Sequence, residues 1–207
     1  MKDAAGFYRK SAAVQMQRKY LHGREPETQK DEKRRAATGN VVIMCMLSAL
    51  NADFDMGAAR LERIAQQAAG VADRFNEQKA AASWTKAKAA LNAEVAPYLR
   101  EPFLLPPISA PRSRRERDEL GEQRDAADLV VKFYAVALHK HEGFGPGRIA
   151  QFVKATEREY RAFGEYAKDG DYYGYQKLAQ RIGKIFNTEM TVDESDTPAP
   201  FFGRTLD

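Results

Sequence analysis

The sequence contains little cysteine, proline and glycine, and each shortage excludes a class of protein. Cys45 is the single cysteine among 207 residues, so no disulfide can form within the chain and a reducing, cytoplasmic compartment is expected. The 9 prolines and 14 glycines cluster instead of recurring every ten residues, which argues against an all-β fold. The start has no signal-peptide core, and the longest apolar run, Val41–Leu50, is too short to cross a bilayer. A soluble, intracellular protein is predicted.

Catalytic and metal-binding motifs are also missing. The chain has no GxSxG, HExxH, CxxC or Walker sequence. His139 and His141 lie two residues apart on a predicted helix, so their side chains face different directions and do not form a metal site. Cys45 lies inside an apolar run, where cysteine acts as a small hydrophobic residue. We therefore expect no enzymatic activity, no metal and no cofactor.

An internal similarity at a fixed offset is the clearest positive feature of the sequence. Residues 41–79 match residues 129–167 without a gap when they are shifted by 88 positions. Identical pairs include Val42/Val130, Leu50/Leu138, Gly57/Gly145, Arg60/Arg148 and Phe75/Phe163. Such a match predicts that one supersecondary unit has been used twice.

Apolar residues recur at three- and four-residue spacing, which predicts an all-α helical bundle without strands. One helix is expected over Asp3–Leu21, and three helices in each repeat. The helices of the first repeat are expected from Thr28 to Leu50, from Gly57 onward and over Ala80–Leu99. Those of the second repeat are expected over Arg115–His141, after a cap at Gly145, and after an N-cap at Asp171. The predicted organisation is a basic N-terminal helix and turn (1–27), a first three-helix repeat (28–99), a proline-rich linker (100–114), a second three-helix repeat (115–187) and an acidic tail (188–207).

Arg60 and Arg148 occupy the same place in both repeats, in the first turn of a predicted helix. A cation there opposes the helix dipole, so its recurrence needs a cause. One interpretation is an ion pair or hydrogen bonds to a neighbouring helix end. The other is a symmetric pair of contacts to a ligand phosphate or a partner's carboxylate. The glycine-rich stretch before Arg148 resembles a phosphate loop, but its counterpart before Arg60 lacks the glycines, which favours a helix-to-helix turn.

Four residues of the last predicted helix form a basic and aromatic stripe. They are Tyr173, Lys177, Arg181 and Lys184, opposite the apolar positions Leu178 and Ile182. The stripe is either a solvated outer face or a surface for backbone phosphates or an acidic protein. The net charge of +4 permits both kinds of partner.

The segment Ala137–Phe152, ALHKHEGFGPGRIAQF, resembles an "ALH…FGFG..R(L/I)..F" segment of small uncharacterised proteins in phages and integrated elements of Firmicutes. This resemblance implies a mobile-element setting and transfers no functional residue. Small phage proteins often act by contacting host machinery, including defence systems.

These observations lead to two functional hypotheses. The first is a non-enzymatic phage or mobile-element binding protein that contacts another protein, inhibiting or modulating a host nucleic-acid-handling or defence complex. The alternative is a DNA- or RNA-binding regulatory module that uses its basic helical surface. Both hypotheses involve no membrane and use the same six candidate binding residues. These are Arg60, Arg148, Tyr173, Lys177, Arg181 and Lys184.

Overall fold

The computed structural model describes residues 29–106, 111, 113–190 and 192, with side chains left out for 29–36, 115 and 171. This part of the chain forms six α-helices and no strand, which confirms the all-α prediction. The helices are α1 (Gln29–Phe54), α2 (Ala58–Ala81), α3 (Trp84–Val95), α4 (Arg114–Glu142), α5 (Pro146–Ala167) and α6 (Asp171–Phe186). The predicted helix over Asp3–Leu21 and nearly all of the acidic tail lie outside the described residues.

Two helices of the first half have different ends from those expected. α1 continues to Phe54 instead of stopping near Leu50, and the chain reverses at Asp55, whose φ of 52° is left-handed. α3 is shorter than the expected Ala80–Leu99. It begins after Ser83, whose hydroxyl accepts a hydrogen bond from the Lys86 amide, and ends before Pro97, which has no N–H to extend a helix.

The helices of the second half begin and end close to the predicted positions. Ser113 caps α4 by accepting from the Glu116 amide, and Gly143, with φ of 65°, ends it. Gly145 precedes α5, as expected. The N-cap of α6 is Gly170 instead of Asp171, since Asp171 is already the first helical residue. Gly170 has a φ of 132°, which suits only glycine.

Two helices, α1 and α4, form the centre of the fold. Every residue of 41–50 in α1 and of 129–138 in α4 is buried. The two helices contact each other, and each is covered by helices from the other half of the chain. α5 and α6 pack on α1, while α2 and α3 pack on α4. By comparison, α1 barely touches α2, and α4 barely touches α5. Each central helix is therefore covered mainly by helices from the other half of the chain.

Residues 37–54 of α1 are long and apolar enough to cross a membrane, judged by length and composition alone. In the fold, 72% of this stretch is buried inside the protein, as the core helix of a helical bundle is. Within the described part of the proline-rich segment, Phe103 and Leu105 are buried. Leu104 between them is 62% exposed.

Ion pairs between side chains connect the two halves at several points. Four of them each join a residue before position 100 to one after position 113: Arg60–Glu142, Asp53–Arg158, Lys88–Asp125 and Glu94–Lys140. Asp53 accepts both hydrogen bonds from one nitrogen of Arg158, each at 2.8 Å. These pairs are partly exposed, so they fix the relative position of the helices more than they add stability.

Replacing Gly183 by alanine should destabilise the fold. The added Cβ would lie 2.6 Å from the Thr188 carbonyl oxygen, so the backbone after α6 must move, at a cost of about 1–3 kcal/mol in the free energy of unfolding. Gly121→Ala is the matched control, because a Cβ at this exposed position in α4 meets nothing within 4 Å. The control should gain about 0.5–1 kcal/mol in urea unfolding. Equal effects of both substitutions would contradict the close approach at Gly183.

Alkaline pH should weaken the fold through buried phenols. Burial raises the pKa of Tyr98 to about 12, and burial likewise raises the pKa values of Tyr134 and Tyr160 above their usual range. The folded state therefore keeps protons that the unfolded state loses above about pH 10, so stability is full below pH 10 and falls as the pH rises. Urea unfolding at pH 8, 10 and 11 measures this loss. A Tyr98→Phe variant should lose less stability over that interval, and an identical loss in both proteins would contradict the assignment.

Candidate functional site

The two turns that precede α2 and α5 have the same conformation. The Met56 amide donates to the Leu50 carbonyl at 3.2 Å, and the Phe144 amide donates to the Leu138 carbonyl at the same distance. In each turn the residue just before this amide has positive φ, Asp55 in the first and Gly143 in the second. In each turn a side chain also lies within hydrogen-bond distance of a backbone carbonyl. The Asn51 side-chain amide donates to the Met56 carbonyl at 3.0 Å, and His139 Nδ1 lies 2.9 Å from the Phe144 carbonyl oxygen.

Arg60 is occupied by a carboxylate of the protein itself. Its Nε donates to Glu142 Oε2 at 2.7 Å, and a second nitrogen of the same guanidinium also contacts that oxygen. The hydrogen bond from Arg60 to Glu142 raises the pKa of the arginine above its ordinary value. Glu142 is the last residue of α4, and its side chain is only 13% exposed. Arg60 thus makes the contact to a neighbouring helix end that the sequence left open as one alternative.

Arg148 has a different environment, although it follows an identical turn. Its guanidinium carbon lies 3.8 Å from the ring centroid of Phe144 and 5.8 Å from that of Phe54. The two rings are 5.1 Å apart, and Phe144 is fully buried. Among the described residues Arg148 makes no ion pair and no side-chain hydrogen bond. Arg60 and Arg148 therefore both contact the 142–144 turn, but only Arg60 has a carboxylate.

The stripe predicted on the last helix is present on the outer side of α6. Leu178 and Ile182 are buried, whereas Tyr173 and Lys184 are exposed. The Lys177 ammonium lies 4.9 Å from the centre of the Tyr173 ring, a cation–π distance. Neither lysine is paired with a carboxylate in the part of the chain that the structure describes.

Arg181, the fourth member of the stripe, has an internal role that the sequence did not reveal. It forms an ion pair with Glu159 of α5, whose side chain is 8% exposed. Burying a carboxylate is costly unless a cation and hydrogen bonds compensate it, and Arg181 supplies both. Arg181 thereby links α6 to α5.

Tyr166 of α5 is a surface residue that the sequence interpretation missed. It is 41% exposed and packs edge-on against Tyr173, with ring centroids 6.1 Å apart. The two tyrosines and Leu104 are the exposed large apolar residues among those described. A tyrosine placed seven residues before Tyr173, across a short turn, was the available signal. Tyr166 therefore extends the stripe onto α5.

A groove of about 570 Å³ runs beside the stripe, between α6 and residues 187–190 and 192. Lys184 lies on its wall together with Tyr172, Gln180, Asn187 and Met190. The Tyr172 hydroxyl donates to the Val192 carbonyl at 3.3 Å and holds the chain over one side of the groove. The aromatic and basic surface is thus continuous with a concave one through Lys184.

The described residues offer little for catalysis. No three His, Cys, Asp or Glu side chains within them lie together as metal ligands. Burial raises the pKa of the Cys45 thiol, and the negative charge of Glu159 adds to this, so the thiol is not an activated nucleophile. His139 stacks on Tyr98 with ring centroids 4.0 Å apart and serves the turn described above.

No family model, curated protein or solved structure matches this chain.

Truncating Arg181 should destabilise the protein, whereas truncating Lys184 should not. Arg181→Met leaves the buried carboxylate of Glu159 without its cation and should cost about 1–3 kcal/mol of unfolding free energy. Lys184→Met, on the same helix face, should change stability by less than about 0.5 kcal/mol. Adding Glu159→Gln to Arg181→Met should recover part of the loss, as urea unfolding of the four proteins would measure. An equally small effect of both methionine variants would contradict the structural role of Arg181.

Proposed function

We propose that this chain is a non-enzymatic helical protein that acts by binding an acidic surface of another protein, and that the outer face of α6 makes the contact. The observation that carries this proposal is the set of exposed rings and unpaired cations there: Tyr166, Tyr173, Lys177 and Lys184. Tyrosines contribute most at protein interfaces when they are rigid, and here each tyrosine ring braces the other. The two lysines supply charge complementary to a carboxylate-rich partner.

The proposal includes a duplicated architecture, in which residues 29–95 and 114–186 are two copies of one three-helix unit. Three observations support it: the identical turns before α2 and α5, the buried stretches 41–50 and 129–138, and the crosswise covering of α1 and α4. The turns and the buried stretches are separated by the same 88 positions as the sequence match. α3 then corresponds to α6 at an offset of 87, through the buried pairs Leu91/Leu178 and Val95/Ile182.

This correspondence allows the face of α6 to be compared with an internal reference. Ala89, Ala90 and Ala93 of α3 are exposed. They occupy the places of Gln176, Lys177 and Gln180, and Pro97 occupies the place of Lys184. The bundle therefore forms with small, uncharged residues at these positions. Lys177 and Lys184 are not needed by the fold, which favours their use in recognition.

The mobile-element setting is also part of the proposal, and it depends on the resemblance of Ala137–Phe152. In its most concrete form, the protein inhibits or modulates a nucleic-acid-handling or defence complex of the host, in the cytoplasm. The proposal assigns no catalytic step to this chain.

Reversing the two free charges of α6 should abolish partner binding without affecting folding. The test compares the wild type with K177E/K184E and with the control R63E/K86E, which makes the same charge change at exposed positions of α2 and α3. Affinity capture from the native host identifies the partner, and calorimetry with that purified partner measures Kd. We expect at least about a tenfold loss for K177E/K184E and for Tyr173→Ala, and no change for the control. Thermal unfolding should be the same for all variants.

Three results would contradict the proposal. The first is equal binding by K177E/K184E and the control. The second is salt-sensitive binding of labelled DNA or RNA that K177E/K184E abolishes, with no protein partner, since this is the behaviour of a nucleic-acid-binding module. The third is turnover of a nucleotide or nucleic acid that a point substitution removes.

A further inference from the structure

Arg60 and Arg148 stand at equivalent places, yet only one of them has an acid to bind. At the offset of 88, Arg60 corresponds to Arg148 and its partner Glu142 corresponds to Phe54. The contacts follow this correspondence: Arg60 contacts residue 142, and Arg148 lies over residue 54. The second copy of the arrangement therefore has the arginine and lacks the carboxylate.

The Arg148 guanidinium is held ready for an acceptor. The Arg148 guanidinium carbon lies 3.8 Å from the centre of the Phe144 ring and 5.8 Å from that of Phe54, so the guanidinium packs over aromatic rings. Arginine that stacks on aromatic rings keeps its N–H groups at the edge, where they can bind a carboxylate with two parallel hydrogen bonds. Stacking also fixes the side chain beforehand, so less conformational entropy is lost on binding.

The carboxylates nearest in the chain do not fill this place. Asp53 is bound to Arg158, and Glu142 is bound to Arg60. Asp55 forms no ion pair with Arg148, although it follows Phe54 directly. The site at Arg148 thus remains open to a group from outside the described part of the chain.

We infer that Arg148 is a contact point for one carboxylate of a protein partner, which binds its guanidinium as Glu142 binds that of Arg60. The ion pair at Arg60 indicates which kind of group Arg148 binds, because the arginine after the equivalent turn binds a glutamate. This inference rests on the proposed function in one respect: the carboxylate belongs to a protein that also contacts α6. It adds a second anchor at the opposite end of α5 from Tyr166, about 27 Å away along the helix.

The test follows the arginine Nε–Hε signals by NMR while a hexaglutamate peptide is added at low salt. The Arg148 signal should shift and saturate, whereas the Arg60 signal should not move because Glu142 occupies it. Arg148→Gln should weaken peptide binding by about tenfold. Arg161→Gln, which removes an exposed arginine of the same helix that stacks on no ring, should leave binding unchanged. Hexaglutamine should have no effect on either signal.

Two further variants use the internal pair as a control. Glu142→Gln removes the charge that holds Arg60, so the Arg60 signal should now respond to the peptide as Arg148 does. Phe54→Glu supplies the missing carboxylate, so the Arg148 response should be lost; thermal unfolding checks that both variants are folded. Should Phe54→Glu fail to fold, the comparison of Arg148→Gln with Arg161→Gln still decides the point. Equal responses of Arg148 and Arg161, or a response that persists in Arg148→Gln, would overturn the inference.

The results also separate this inference from the proposed function. If Arg148→Gln leaves partner affinity intact while K177E/K184E abolishes it, the carboxylate site is wrong and the α6 surface stands. If K177E/K184E retains the partner while Arg148→Gln loses both the partner and the peptide response, the α6 surface is wrong and the carboxylate site stands.

Discussion

The structure depends on two stretches of helix that are buried on every side. Residues 41–50 of α1 and 129–138 of α4 are buried at all positions, so neither can lie at a surface. Each needs neighbours around its whole circumference. α1 obtains them from α4, α5 and α6, and α4 obtains them from α1, α2 and α3. The crosswise arrangement of the helices follows from this need for complete cover.

Crosswise cover makes the two halves depend on each other. If α2 and α3 separated from α4, the buried stretch 129–138 would lose apolar contacts at about 25 cal/mol per Å² of exposed surface. Polar groups at this contact are compensated across it as well: Lys132, which is buried in α4, donates to Asn92 of α3 at 2.9 Å and pairs with Asp128. The ion pairs of Arg60 and Arg158 join the halves at the C-terminal ends of α4 and α1. Independent folding of either half is therefore not expected from this geometry.

Local patterns in the sequence were enough to predict the helical class and the starts of α2 and α5, because periodicity and glycine caps act over a few residues. The partners of the charged residues could not be predicted in the same way. Glu142 lies 82 residues from Arg60, and Glu159 lies 22 residues before Arg181. Which acid reaches which arginine depends on how the helices cross, and the sequence carries no local signal for that crossing. The exposure of Tyr166 was missed for the same reason, since it depends on where α6 lies against α5.

Under the proposed duplication, the two copies distinguish what the fold needs from what it merely permits. Asn51 and His139 differ in type but close the same turn, so their difference carries no functional meaning. Lys177 and Ala90 differ in a way that no contact in the bundle requires. Glu142 pairs with Arg60, whereas Phe54, at the equivalent place beside Arg148, carries no charge. Lys177 and Arg148, the two cations that these differences leave without a carboxylate among the described residues, both lie in the second half of the chain. Under the proposed function, the second half is therefore the side that recognises a negatively charged partner.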